Sequence, residues 1–249
     1  MGLAILLGLL IFMALFHEAT LESGAKVLGP NYLRAYGWAS LIGIVLQVIV
    51  HEIGGLVVAK WYRLPLHFRP FGFGANASAT LESIPRNPWV DAIMGFAGPI
   101  TGTIFSLILA GIFLLVNNPD NFTDDSPLFL GMACVGFFYN LVTLIPIREF
   151  EGGWIAPAIA PQAWLLGLIA VGLVLTHEFN LVLLCVLSFG LPRLILIISG
   201  RAPRLDTIFT PRQHLIVNFS YFILVIVLAW LGTVTFDKLP DLVRDVMGD

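Results

Sequence analysis

Charged residues are scarce in this sequence, and that scarcity argues against an ordinary soluble fold. Lysine, arginine, aspartate and glutamate make up 12% of the 249 residues, whereas a soluble domain carries about 25%. The apolar residues, 58% of the chain, stand in long runs that a soluble core does not require. We therefore expect an all-α, polytopic membrane protein that is surrounded by membrane lipids.

Clusters of basic residues and paired cysteines are also missing. The formal net charge is −3 and the charges stand in short loops, so the sequence predicts no nucleic-acid partner. Cys134 and Cys185 both fall inside apolar runs. We expect them to be small core residues rather than a disulfide.

About seven apolar segments are candidates to cross a bilayer, for which roughly 20 residues are needed. These segments are 2–16, 36–60, 90–117, 127–147, 154–176, 179–199 and 214–235. The first is shorter than this length. Between the second and third segments, residues 67–80 combine phenylalanines with glycines and small polar residues. That pattern is typical of an irregular or strand-like loop.

The charges of the loops predict the orientation of the chain. If the loop 60–89 and every second loop after it lie on one side, that side holds Lys60, Arg63, Arg69, Arg86, Arg148, Arg201, Arg204 and Arg212. The other side holds Lys26, Arg34, Lys238 and Arg244. Because the richer side is normally cytoplasmic, we expect a cytoplasmic N-terminus and a C-terminus outside.

Placing an ionisable group inside a membrane span costs free energy, so such groups are functional candidates by default. The second segment contains His51 and Glu52, followed by Gly54 and Gly55. A His-Glu pair is part of the zinc-protease signature His-Glu-x-x-His, in which both imidazoles bind zinc and the glutamate polarises the attacking water. Alone, the pair favours a simpler interpretation, a hydrogen-bonded His and Glu beside glycines that allow close helix packing.

A second stretch, Ala97, Gly98 and Pro99, lies in the third segment. By itself it indicates a kink or a tight helix crossing, because glycine and proline are common in membrane helices. 

A third stretch begins where Pro146 ends the fourth segment. Glu151, Gly152 and Gly153 then open the fifth segment on the same side as His51. Alone, this stretch favours an interfacial acid near a helix N-terminus, where the helix dipole stabilises it.

In this order, the three stretches resemble the motifs of the site-two protease family of intramembrane zinc metalloproteases. The family motifs are His-Glu-x-x-His, then Ala-Gly-Pro-x-x-Asn, then Asn-x-x-Pro with a following Asp-Gly-Gly. Matching residues are His51 and Glu52, then 97–99, then Pro146 and 151–153. The resemblance covers about 36–165 and implies a site-two-protease-like membrane core there. An N-terminal span with an outside loop over 1–35 and further helices with a tail over 166–249 flank this core.

The glycine-rich part of the loop 67–80 resembles the strand loop that follows the first motif in this family. The matching residues are Phe71, Gly72, Phe73 and Gly74. The resemblance implies that they bind a substrate or partner, since an exposed edge pairs with an extended peptide.

The departures from the family pattern fall on its catalytic centre. Gly55 replaces the second zinc-binding histidine, Gly102 and Thr143 replace the two asparagines, and Glu151 replaces the aspartate ligand. Glycine cannot bind zinc, whereas a catalytic zinc normally has three protein ligands. If zinc is bound, the resemblance implies His51 and Glu151 as ligands. Candidates for a third ligand are Glu149, His17, Glu18 and His67, with His177 and His214 as weaker ones.

We therefore expect a non-proteolytic member of the family, without a cofactor, that holds another membrane protein as a chaperone, regulator or accessory subunit. The alternative is an active intramembrane zinc metalloprotease with an unusual ligand set, in which Glu52 is the catalytic base. A carrier or channel is a third hypothesis, because broken helices near acids also occur in transporters. The inverted repeat typical of transporters is not found in this sequence.

Overall fold

The computed structural model describes residues 29–64, 87–116, 126–146, 150–177, 181–200 and 209–247. These residues form seven α-helices and one 3-10 turn, with no strand among them. The helices are α1 (Gly29–Trp61), α2 (Pro88–Val116), α3 (Ser126–Thr143), α4 (Glu151–Ile155), α5 (Pro161–His177), α6 (Leu181–Ile198) and α7 (Pro211–Met247). The 3-10 turn, Ala156–Ala158, follows α4 directly.

Three of the helices are long and apolar enough to cross a membrane, namely α1 over Ile42–Trp61, α2 and α7 over Pro211–Lys238. Helices α3, α5 and α6 contain shorter apolar stretches. For the described residues, the prediction of an all-helical chain with apolar helices of membrane-spanning length is thus confirmed. The first predicted segment, 2–16, and the predicted strand-like loop, 67–80, lie outside the described residues.

The structure differs from the predicted fifth segment, 154–176, at its start. There the chain forms the short helix α4, then the 3-10 turn, and begins α5 only at Pro161. Prolines lack the donor N–H of a helix interior and clash with the preceding turn. Pro157 lies at the start of the 3-10 turn, and Pro161 opens α5, where a proline is tolerated. As a result α4 is a separate element.

Among the described residues, the buried apolar core is formed by α2, α3, α5, α6 and α7 together with α4 and the 3-10 turn. Helix α1 packs on α2 and α3, α7 packs on α3, and α4 packs on α2. Small residues allow these close contacts. A Cβ atom added to Gly43 of α1 would be 3.0 Å from the Met132 side chain of α3. Large apolar side chains such as Leu114, Leu115 and Leu166 are exposed on the outside, as expected of a surface that faces lipid.

Candidate functional site

His51 lies on the buried face of α1, near the middle of the apolar stretch Ile42–Trp61. It is only 3% exposed. Its imidazole lies against Gly98 of α2, where an added Cβ atom would meet three atoms of the ring. The glycine of the Ala-Gly-Pro stretch therefore makes room for this histidine.

Glu151 is the first residue of α4 and approaches His51 from a different element. Its Oε1 atom lies 3.9 Å from Nε2 of His51, within the range of an ion pair but too long for a hydrogen bond. Backbone contacts hold α4 in place. Gly152 lies against the Leu144 carbonyl group, and an added Cβ atom at Gly95 of α2 would be 2.9 Å from the Glu151 carbonyl oxygen.

Two further polar groups adjoin this pair. The ring of Tyr139 in α3 is nearly perpendicular to the His51 ring, at 83°, with centroids 5.4 Å apart. Glu52 and Glu151 both lie within electrostatic range of Tyr139 and of each other. We call His51, Glu52, Tyr139 and Glu151 the acidic cluster. Within the described part of the chain, neither ring nitrogen of His51 has a hydrogen-bond partner.

The acidic cluster supplies donors of the types that zinc binds, namely His51 and Glu151. Among the residues that the structure describes, no group of three or more His, Cys, Asp or Glu side chains is arranged to hold a metal ion. Position 55 adds no donor, and apart from its chain neighbours and its own helix backbone, no atom of the described residues lies within 4 Å of a Cβ atom built on Gly55. The described donors therefore do not complete a catalytic zinc site, and the predicted metal roles stay predictions.

Two of the other candidate zinc ligands, His214 and His177, are among the described residues. Nδ1 of His214 lies 3.1 Å from the Ala158 carbonyl oxygen, and His177 is exposed at the end of α5. The remaining candidates, His17, Glu18, His67 and Glu149, lie outside the described residues, as do Phe71, Gly72, Phe73 and Gly74.

The residues predicted to shape the site lie around it. Pro99 is buried inside α2, and its carbonyl oxygen accepts a 2.6 Å hydrogen bond from the Thr103 hydroxyl. Pro146 lies just beyond the end of α3. The N–H of Gly153 donates to the Phe150 carbonyl, at 3.0 Å, and so helps to begin α4.

A second buried polar group, next to His51 along the helices, was missed by the sequence analysis. Gln47 of α1 and Asn140 of α3 are fully buried, and their amides both occupy the space next to Gly102 of α2. The hydroxyl of Ser106 donates to Gln47 Oε1, at 3.3 Å. Gln47 precedes His51 by one helical turn and so shares its face, which is the signal that could have identified it.

Three polar residues on one face of α7 hold the chain on both sides of α4. The Tyr221 hydroxyl donates to the Leu144 carbonyl at 2.8 Å, and Asn218 Oδ1 accepts a hydrogen bond from the Ala160 N–H at 2.9 Å. His214 makes the contact described above. Their spacing places all three on the same helix face, so α7 takes part in positioning Glu151's helix.

No protein-family model, no curated protein and no solved structure matches this chain. The likeness to site-two proteases therefore depends on the motif residues of the sequence, and what it implies stays a prediction.

Proposed function

We propose that this chain is a multi-pass membrane protein of the site-two-protease type that binds a segment of another membrane protein without cutting it. The observation that carries the proposal is the approach of His51 and Glu151, 3.9 Å apart, beside an open glycine position at 55. Burying an ionisable group in a membrane helix costs free energy, and such groups are usually functional. A catalytic zinc, however, needs a third protein ligand, and glycine offers none.

The proposal includes about seven spans, a cytoplasmic N-terminus and a C-terminus outside. Helices α3, α5 and α6 have 18, 17 and 18 residues, at the short end of the range of about 17–25 residues that crosses a bilayer. The distribution of basic residues between alternate loops supports the orientation.

The proposed partner is another integral membrane protein, for which this chain acts as a chaperone, regulator or accessory subunit. An extended segment can add to a strand-like edge through main-chain hydrogen bonds and remain intact. The residues predicted to form that edge are 71–74. Neither a nucleic acid nor a cofactor is part of the proposal.

An active metalloprotease is the second candidate, and one observation favours it. Glu52 follows His51 directly and lies within electrostatic range of Glu151. A glutamate in this place is suited to act as a general base. This candidate requires a third ligand from outside the described residues.

The zinc content of the full-length chain, expressed with zinc and purified without chelators, separates the two candidates. The proposal predicts no stoichiometric zinc in either the wild type or a His51→Ala variant. Stoichiometric zinc that is lost in His51→Ala but retained in His177→Ala, a control on the exposed end of α5, would contradict it and favour the protease.

Partner binding is tested by a photo-crosslinking amino acid placed at position 55 in the full-length chain. We expect it to capture one intact membrane protein reproducibly. The same amino acid at position 111 is the matched control, because an added Cβ atom at Gly111 also meets no other helix of the described structure within 4 Å. Captured fragments that end at a new cleavage site would instead support proteolysis.

A further inference from the structure

Arg193 is an ionisable residue inside the apolar helix α6, and the proposed function does not use it. It lies within the apolar stretch Leu183–Ile198 and is partly buried. Its Nε atom is buried and has no hydrogen-bond partner among the described residues. Arginine keeps its charge in proteins, and a charge inside a membrane helix is normally paired. Arg193 therefore needs an anionic partner.

The helices that pack against α6 do not supply this partner. Among the described residues, α6 packs on α5 and, less extensively, on α3. None of these three helices contains an aspartate or a glutamate, and no described acidic side chain forms an ion pair with Arg193. The counter-charge of Arg193 therefore comes from outside the described part of the chain.

A second unpaired donor lies on the same pair of helices. The indole of Trp164 in α5 is fully buried, and its Nε1 atom has no hydrogen-bond partner among the described residues. Its ring is 3.1 Å from a Cβ atom added at Gly190 of α6, which precedes Arg193 by about one helical turn. An indole N–H and a guanidinium can only donate hydrogen bonds. The group that fits this end of the helix pair is therefore an acceptor.

The position of Arg193 along α6 is close to a membrane interface. At 1.5 Å per residue, it lies about 7.5 Å from the end of the helix at Ile198. A long arginine side chain near a helix end extends toward the lipid headgroups. In the proposed orientation this end of α6 faces the cytoplasm, where the basic residues of the loops are concentrated and where anionic lipids are found.

Lipid has access to Arg193 from the outer side of the helix pair. Phe189 and Leu196, at the i−4 and i+3 positions, share its side of the helix and are 48% and 44% exposed. On the other flank, Gly190 lies against Leu168 of α5. Arg193 therefore lies at the edge of the contact between α5 and α6, next to an apolar surface suited to acyl chains.

We propose that Arg193 binds the phosphate of an anionic phospholipid at the edge of the contact between α5 and α6. The guanidinium is suited to this role, because its planar fork donates two parallel hydrogen bonds to a phosphate group. The acyl chains of the same lipid cover the exposed apolar side chains of α6. The inference rests on the proposed function for the orientation of the chain in the membrane.

Native mass spectrometry of the purified full-length chain in a neutral detergent measures the Kd of the first bound lipid, with phosphatidylglycerol and phosphatidylcholine as probes. One basic residue near anionic lipid contributes about a fivefold preference. We therefore expect the wild type to bind phosphatidylglycerol at least about fivefold more tightly than phosphatidylcholine. Arg193→Gln is expected to lose this preference, because a neutral amide does not attract the anionic headgroup.

Arg212→Gln is the matched control, since Arg212 is exposed at the start of α7, on the same side of the membrane as the end of α6 in the proposed orientation. This variant is expected to keep the preference for phosphatidylglycerol. Arg193→Lys keeps the charge without the planar fork and is expected to bind phosphatidylglycerol more weakly than the wild type does. It serves as the second variant if Arg193→Gln does not fold.

The other results would overturn the inference. Equal affinities of the wild type for the two lipids would show that another part of the chain neutralises Arg193. A preference that survives in Arg193→Gln, or that is lost equally in Arg212→Gln, would show that general surface charge attracts the lipid. Displacement of phosphatidylglycerol by inorganic phosphate would show that the site takes a soluble anion. None of these results bears on the capture of a partner at position 55, by which the proposed function is judged.

Discussion

Two adjacent glycines of α1 test how closely this helix packs on α2. A methyl group added at Gly54 would lie 2.5 Å from the Ala97 carbonyl oxygen and would overlap the Thr101 side chain. At Gly55 the same methyl group would have no atom of another described helix within 4 Å. The variants Gly54→Ala and Gly55→Ala therefore make the same chemical change in opposite surroundings.

The expected difference follows from the contacts of Thr101. Its hydroxyl donates to the carbonyl oxygens of Ala97 and Gly98, each at 2.9 Å, so the side chain cannot turn away without losing these bonds. α1 and α2 must therefore separate in Gly54→Ala, and such overpacking costs about 1–3 kcal/mol. Both variants gain a similar helix propensity, about 1 kcal/mol. The overpacking of about 1–3 kcal/mol is thus the expected difference between their free energies of unfolding.

Reversible unfolding of the full-length chain by a denaturing detergent, followed by circular dichroism, measures both free energies. We expect Gly55→Ala to be at least as stable as the wild type and Gly54→Ala to be less stable than Gly55→Ala. Equal stabilities of the two variants would refute the close packing of α1 on α2. They would also undermine the placement of His51, since its imidazole depends on the same contact.

Three further substitutions test other parts of the site. Tyr221→Phe removes the donor to the Leu144 carbonyl and is expected to lower the free energy of unfolding by about 1–3 kcal/mol in the same assay; an unchanged value would mean that α7 does not hold this segment. Gly98→Ala displaces the buried imidazole and is expected to destabilise the chain by about 1–3 kcal/mol, whereas Gly111→Ala in the same helix is not; equal effects would contradict the contact. Gly55→His adds an imidazole one turn along α1 from His51. Zinc at a free concentration 100 times its Kd for this variant is then expected to raise the free energy of unfolding by about 2.7 kcal/mol. Thermal unfolding with and without zinc measures this effect, and no shift would show that position 55 does not face the cluster.

The helices of the described region could largely be predicted from apolar runs, because a helix satisfies its own backbone groups in lipid. The ends were harder to predict. α1 begins at Gly29, earlier than the predicted residue 36, because its first residues are partly polar and carry no apolar signal. α5 begins only at Pro161, because the apolar run continues through a proline-containing turn that interrupts the helix without interrupting the composition.

The site was less predictable than the fold, because its residues come from different helices. His51 and Glu151 could be expected to converge only through the motif resemblance, since no periodicity connects positions so far apart. Gln47, Tyr139 and Asn140 were missed for a related reason. A single polar residue in an apolar run has no recognisable partner until the rotation of its helix about its own axis is known.

The two positions at which glycine replaces a polar motif residue have opposite surroundings, and the contrast bears on function. At Gly102 the space is filled by the amides of Gln47 and Asn140, so the two neighbouring helices, α1 and α3, supply polar groups where the family motif has an asparagine. At Gly55 none of the described side chains fills the space. In paired membrane helices such glycines usually let backbones approach, but Gly102 instead accommodates side chains from both neighbouring helices. The replacement at 102 is thus compensated by neighbouring side chains, whereas no described residue compensates the one at 55, and this contrast supports the proposal of a site that binds without a catalytic metal.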